Sequence, residues 1–177
     1  MLPSILALLV FSTTISAQTP LNFSPNVTTK LQVKFGSKSV TTGFALTKAE
    51  TAKIPTMGTS DEALKGTYNF FVINLDAPGS FVGGAAGTRV TNLHCLLTGY
   101  TSATMATNSL YTLTNKDASV KAYVGAGPPA ETPPYAHKNV ELLYMQPEGF
   151  KVPSAQISSI SNGISMLRSG CKAGCAG

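Results

Sequence analysis

The sequence is poor in the residues and motifs that most enzymes need. Its 177 residues include only three cysteines and two histidines, and tryptophan is absent. It contains no Gly-x-Ser-x-Gly nucleophile motif, no His-Glu-x-x-His zinc motif and no phosphate-binding Walker loop. A histidine beside an aspartate can perform acid–base chemistry, but nothing here supplies a nucleophile. We therefore expect a protein without enzymatic activity, cofactor or bound metal.

Charged residues are also scarce, at 12% of the chain, and the formal net charge is +5. The basic residues are scattered, without the clustered patch that binds nucleic acid. Beyond the N-terminal segment, no apolar run is long enough to cross a membrane. This composition weakly favours a small anionic ligand, and we expect a monomer that binds no nucleic acid and has no transmembrane segment.

The N-terminal segment differs in kind from the rest of the chain. Residues 1–17 contain an apolar run at 5–11, lack acidic residues and end in small residues. Because the run is short for a membrane span, a cleaved secretory signal peptide is the better interpretation. We expect residues 18–177 to form one secreted, extracellular domain. Sequons at Asn22 and Asn26 are candidates for N-glycosylation in that compartment.

The cysteines divide into a close pair and a single residue. Cys171 and Cys175 could form a small disulfide loop in an oxidising compartment. A zinc site at this pair is a weaker alternative, because no histidine lies nearby. Cys95 stands in an apolar run and is expected to be buried and inert. An odd cysteine in an exported chain also allows an intermolecular bridge.

Apolar patterning predicts a mainly β fold of mostly antiparallel strands. Residues 27–35 alternate apolar and polar side chains, and with 39–46 they predict an N-terminal hairpin. Three further runs are predicted to be core strands: 67–75, 90–100 and 140–145.

The segments between these strands predict little regular structure. Residues 47–66 are predicted to be a connecting loop with at most a short helical turn, and 101–118 an excursion with at most a short strand. After Pro153, apolar residues spaced by three and four predict a closing helix with Ser154 as its N-cap. Its apolar stripe consists of Ile157, Ile160, Ile164 and Leu167.

Three polar residues mark a candidate binding site. His137 follows a Gly/Pro-rich loop at 123–136, which can be irregular and rigid because proline fixes φ and glycine permits positive φ. Asp76 follows one predicted core strand, and His94 lies within another. Each of these residues alone is more often structural than functional. For His137, the alternative is a surface loop in which the histidine has no function. Together they predict a pocket.

Three blocks in this order resemble the phosphatidylethanolamine-binding protein family. That family has an Asp-Pro-Asp-Ala-Pro block, a His-Trp-Leu block, and a Gly/Pro loop leading to His-Arg-Tyr and a strand ending in Glu-Gln. The similar stretches here are NLDAP from Asn74, LHCL from Leu93, YVGAGPP from Tyr123, then His137 and LLYMQ from Leu142. The resemblance covers residues 74–146.

The resemblance implies a large antiparallel sheet, a smaller sheet and a C-terminal helix, with a small pocket for phosphate-like anions. Family members act as binding, scaffold or protease-inhibitor proteins. We therefore expect a secreted protein that binds a small anion or phospholipid headgroup. The ligand-binding candidates implied are Asp76, His94, Gly127, Pro128, Pro129 and His137, to which Asn74 and Tyr135 are added.

The departures from the family pattern leave alternatives open. The first family aspartate is Asn74, the tryptophan is Cys95, and Arg-Tyr is Lys138-Asn139. One alternative is a secreted peptidase inhibitor or interaction protein that acts through surface loops and has a degenerate pocket. A weaker one is a surface-anchored protein, favoured only by the small residues of 169–177.

Asn74 leads to a testable prediction. An amide beside one carboxylate repels a bound phosphate less than two carboxylates do, and it adds a donor. We hypothesise that His94 and loop N–H groups contact the anion and that Asp76 orients a histidine; the prediction that follows holds if Asp76 is the only acid present. Asn74→Asp should then weaken phosphate binding near neutral pH, measured by calorimetry. Equal affinities for both proteins would contradict this.

Overall fold

The computed structural model describes residues 30–127 and 130–161. Several predictions concern residues outside these ranges and stay predictions. They are the signal peptide, the sequons at Asn22 and Asn26, the loop residues Pro128 and Pro129, and the Cys171–Cys175 disulfide.

The described residues form seven strands and one short α-helix. The strands are β1 (Gln32–Phe35), β2 (Lys38–Val40), β3 (Thr56–Thr59), β4 (Tyr68–Pro78), β5 (Arg89–Ser102), β6 (Tyr111–Asn115) and β7 (Asn139–Met145), and the helix is α1 (Ser154–Ser161). Single 3₁₀ turns lie at Glu50–Ala52 and Gly79–Val82.

All seven strands belong to one sheet in the order β2-β1-β3-β6-β5-β4-β7, and the neighbours are antiparallel. The prediction of a mainly β fold is confirmed. A separate smaller sheet, which the family resemblance implied, is not seen among the described residues, because β6 joins the two halves into one sheet by pairing with both β3 and β5.

The core shows that this sheet is curled. Its central cluster combines side chains from four strands: Met57, Phe70, Val72, Cys95, Leu97, Tyr100 and Leu113. β3 and β4 are separated by two strands, which is about 14 Å along a flat sheet. Met57 of β3 nevertheless belongs to the same buried cluster as Phe70 and Val72 of β4, because the sheet bends around this core.

Cys95 is fully buried in this core, as predicted. Burial raises the pKa of its thiol to about 12. The thiol is therefore protonated at neutral pH, and it packs as a small apolar side chain.

The N-terminal third departs from the prediction in two places. The predicted second strand at 39–46 ends at Val40, because a turn with Gly43 at φ +79° bonds the Phe44 N–H to the Thr41 carbonyl at 2.9 Å. The predicted loop at 47–66 contains β3, whose sequence TMGT has too little apolar alternation to be recognised. Gly58 is required there, since a Cβ would lie 2.5 Å from the Tyr111 carbonyl oxygen.

Two β-bulges in the central β4–β5 ladder position the candidate site. Val72 pairs with Cys95 but Ile73 pairs with Leu93, so His94 is an extra residue of β5. Further along, Asn74 pairs with Asn92 and Ala77 pairs with Val90. Two residues of β4 therefore lie opposite one residue of β5, and Asp76 is one of these two. A bulge bends its strand and redirects its side chains.

The closing helix is confirmed over the part that is described. It begins at Ser154 itself, so Ser154 is not the residue preceding the helix, as an N-cap would be. Ile160 is buried and Ile157 is 44% exposed, whereas Ile164 and Leu167 lie outside the described residues. Within residues 30–127 and 130–161, no helix has the length and apolarity that a membrane span needs.

Phe70 provides a test of the core. Its side chain has no exposed surface and meets Tyr100 edge to face, with ring centroids 5.8 Å apart. Phe70→Ala should lower the free energy of unfolding by about 3–5 kcal/mol in a urea titration. The matched change Phe44→Ala, at a side chain that is 46% exposed, should have little effect. Equal losses in the two variants would show that this core assignment is wrong.

Candidate functional site

His137 is the centre of a polar cluster at one end of the core. Only 4% of its side chain is exposed, and its Nδ1 lies 3.3 Å from Asn74 Nδ2 and 3.6 Å from Asp76 Oδ1. Asn74 and Asp76 come from β4, while His137 precedes β7, which pairs with β4. The structure thus brings together three of the predicted site residues from two separate segments of the chain.

The hydrogen bonds around His137 define its tautomer. Asn74 Oδ1 accepts the backbone N–H of Asp76 at 2.9 Å, so Asn74 Nδ2 donates to Nδ1 of the ring. On the other side, the ring Nε2 lies 2.8 Å from Glu131 Oε1. Because a carboxylate only accepts, Nε2 carries the proton. A neutral imidazole protonated at Nε2 satisfies both contacts.

Asp76 orients this histidine through the backbone. Its Oδ1 accepts the N–H of Lys138 at 2.8 Å, whereas 3.6 Å to the ring is too long for a hydrogen bond. The carboxylate therefore anchors the chain immediately after His137. Its other oxygen, Oδ2, is buried and has no hydrogen-bond partner among the described residues.

Two charged residues that the sequence interpretation missed complete the cluster. Arg89 binds the Glu131 carboxylate with two parallel hydrogen bonds, of 3.0 Å to Oε1 and 2.7 Å to Oε2. The hydrogen bonds from Arg89 and, to a smaller extent, from His137 hold the pKa of Glu131 below its usual value. Glu131 is therefore a second acid of the cluster, so the condition on which the Asn74→Asp prediction depends is not met.

Tyr135 and the backbone of β4 hold the Arg89 guanidinium in place. The guanidinium carbon lies 3.9 Å from the centre of the Tyr135 ring, a cation–π contact. Its Nη1 also donates to the Asp76 carbonyl oxygen at 3.2 Å. Tyr135 meets His137 edge to face, with centroids 5.5 Å apart. The structure thus brings Tyr135, a predicted site residue, against the cluster.

His94 is buried on the neighbouring strand β5, at 8% exposure. Burial lowers the pKa of its ring, a hydrogen bond to the backbone of Val124 opposes this, and the positive charge of Lys121 lowers the pKa further. The ring is therefore neutral at neutral pH. Its Nε2 has no hydrogen-bond partner within the described part of the chain.

A row of asparagines crosses the sheet beside the histidines. Asn74 of β4 is the register partner of Asn139 of β7 and of Asn92 of β5. Directly paired residues point to the same face of a sheet, so this part of the site is uncharged. Asn139 stands where the resembled family has tyrosine, and its buried Oδ1 finds no partner in the described residues.

The described start of the Gly/Pro loop packs against the 3₁₀ turn at Glu50–Ala52. Gly127 lies against the Lys48 side chain, and a Cβ at Gly125 would lie 2.7 Å from the Thr51 carbonyl oxygen. The Thr51 hydroxyl donates to the Ala126 carbonyl at 2.9 Å. The loop is held closely here, but the predicted ligand contact of Gly127 stays a prediction.

Two features of the sequence single out the missed residues Glu131 and Arg89. Glu131 is the only charged residue between Lys121 and His137, and Arg89 is one of only two arginines, with Arg168. A single carboxylate in an uncharged loop indicates a specific partner, but 42 residues separate it from Arg89. No local spacing relates the two.

Other candidate sites lie elsewhere or are not formed. A cleft of about 350 Å³ is lined by different residues: Thr98, Ser119, Val120, Phe150, Lys151, Val152 and Ile157. Within residues 30–127 and 130–161, no three His, Cys, Asp or Glu side chains are grouped to hold a metal ion.

Comparison of the chain with protein-family models gives no match. Searches of curated proteins and of solved structures likewise give no significant match.

His94 leads to a prediction of pH dependence. Because burial lowers its folded-state pKa below the usual 6.5, the unfolded chain takes up a proton first as the pH falls. The stability due to a neutral His94 is complete above this value and declines as the pH drops toward the folded pKa. His94→Gln should reduce the fall in Tm between about pH 7.5 and about pH 5. Parallel curves for the two proteins would contradict the assignment.

Proposed function

We propose that this protein is a secreted, non-enzymatic member of the phosphatidylethanolamine-binding protein family that binds a small anion or phospholipid headgroup. In this proposal the ligand binds beside Asp76, His94 and His137. The observation that carries the proposal is the convergence of His137 with Asn74 and Asp76, at 3.3 Å and 3.6 Å. These residues come from two of the three sequence blocks on which the resemblance depends.

The polar groups of the cluster support a ligand that both accepts and donates hydrogen bonds. Arg89 and the Nε2–H of His137 are donors suited to an oxyanion. Asp76 Oδ2 and the neutral His94 Nε2 are buried acceptors without partners among the described residues. A buried polar atom is costly unless it is hydrogen-bonded. A monoprotonated phosphate, or a headgroup that carries an ammonium group, offers both kinds of partner.

The alternative is a peptidase inhibitor or interaction protein of the same fold that does not use the pocket. One observation favours it: Glu131 already engages both Arg89 and His137. Large apolar side chains outside the cluster are also exposed, including Phe81 at 49% and Met105 at 79%. In this alternative, the polar cluster is structural.

Binding of phosphate compounds tests the proposal. Titration of the purified protein with inorganic phosphate and with phosphorylethanolamine, followed by calorimetry and ³¹P NMR, should show binding. His137→Gln removes one charge-assisted donor and should weaken that binding by about tenfold or more. Glu148→Gln, at an exposed residue, is the control and should bind as the wild type does.

The same proteins distinguish the alternative. Absence of binding to either compound, together with inhibition of a serine carboxypeptidase that persists in His94→Ala, would overturn the pocket proposal in favour of the inhibitor. Binding that His137→Gln leaves unchanged would place the ligand elsewhere on the protein.

A further inference from the structure

Three hydrogen-bond donors converge on one carboxylate in this structure. Arg89 donates to Glu131 Oε1 at 3.0 Å and to Oε2 at 2.7 Å, and His137 Nε2 donates to Oε1 at 2.8 Å. A guanidinium fork with an adjacent ring N–H is a donor set that suits carboxylates and phosphates. Glu131 thus occupies the position that an external oxyanion would take.

We propose that Arg89 and His137 form an oxyanion receptor and that Glu131 is its built-in competitor, displaced by a phosphate monoester. This inference rests on the proposed function and adds Arg89 as a ligand contact. It also predicts that competition from the Glu131 carboxylate determines the affinity for the phosphate monoester.

The receptor keeps its geometry when Glu131 leaves. Arg89 also donates to the Asp76 carbonyl at 3.2 Å, and its guanidinium carbon lies 3.9 Å from the centre of the Tyr135 ring. His137 still accepts from Asn74 at 3.3 Å. Arg89 and His137 are therefore each held in place by at least one contact that does not involve Glu131. A preorganised donor set binds a ligand with little loss of conformational entropy.

Glu131 can be displaced because one side of its ion pair is accessible from solvent. Its side chain is 16% exposed and that of Arg89 is 37% exposed, so one side of the ion pair is accessible from solvent. The following residues, 132–136, are exposed. An ion pair in contact with solvent stabilises a protein only weakly, because water competes for both charges. An oxyanion with more charge than a carboxylate can therefore replace it.

The ligand class is a phosphate monoester, either free or as the headgroup of a lipid. Such a group carries up to two negative charges and offers three oxygens, so it satisfies the guanidinium fork and the ring N–H together. Inorganic phosphate tests the free form. Vesicles of phosphatidylcholine with and without phosphatidic acid test the lipid form.

The test compares phosphate affinity in wild type, Glu131→Gln and the double variant Arg89→Gln/Glu131→Gln. Glu131→Gln keeps the side-chain shape but removes the competing charge, and it should bind phosphate about tenfold more tightly than wild type. The double variant should lose this gain. Glu148→Gln removes one exposed negative charge elsewhere and controls for net charge.

The outcomes separate this inference from the proposed function. Binding by wild type that Glu131→Gln leaves unchanged or weaker overturns the inference and leaves the proposed function intact. Absence of phosphate and vesicle binding in both proteins overturns both. Tighter binding in Glu131→Gln supports both, and enhanced binding only to phosphatidic acid vesicles identifies the lipid form as the source.

A measurement on the wild-type protein tests the inference without any variant, so it stays valid if a variant misfolds. Phosphate titration should shift the ¹³C resonance of the Glu131 carboxyl, since its contacts to Arg89 and His137 break. Phosphate binding without a shift at this carbon overturns the inference, whatever the variants do.

Discussion

Burial of an imidazole ring is the constraint on which this end of the molecule depends. His137 is almost fully enclosed, and each of its ring nitrogens needs a partner because an unsatisfied buried polar atom is costly. Asn74 supplies the donor for one nitrogen and Glu131 the acceptor for the other. These two contacts select a single tautomer. They also connect the exposed loop before His137 to β4, which supplies Phe70 and Val72 to the core.

The β-bulges explain how a strongly apolar strand pair can hold so many polar groups. β4 and β5 form the centre of the core, where regular pairing would place Phe70, Val72 and Cys95 in continuous apolar layers. An extra residue in each strand interrupts the ladder at His94 and beside Asp76. These two interruptions lie next to the polar side chains of the cluster, so the apolar core formed by Phe70, Val72 and Cys95 continues beside them.

The strands that build the core were predictable because their apolar side chains are continuous in the sequence. The runs that contain Phe70 and Cys95 were both recognised, and burial of Cys95 is confirmed. β3 was not recognised, because its four residues become a strand only through pairing with β1 and β6. Long-range pairing of this kind leaves no local pattern in the chain.

The candidate site likewise contains residues that the sequence predicted and residues that it did not. Asp76, Asn74 and His137 were identified from their places at strand ends and from a family resemblance, and the structure brings them together. Arg89 and Glu131 were missed, since their relation exists only once the loop packs beside β5.

The tethered carboxylate also determines which ligands the proposed receptor can accept. Glu131 is part of the same chain as Arg89 and His137, so its effective concentration at these donors is high. A free monocarboxylate offers the same charge and geometry without the tether, and it competes poorly. A phosphate monoester brings more charge and a third oxygen, which offsets the advantage of the tether. In the proposed receptor, Glu131 would therefore act as a filter that favours phosphate over carboxylate, although the guanidinium fork alone accommodates both.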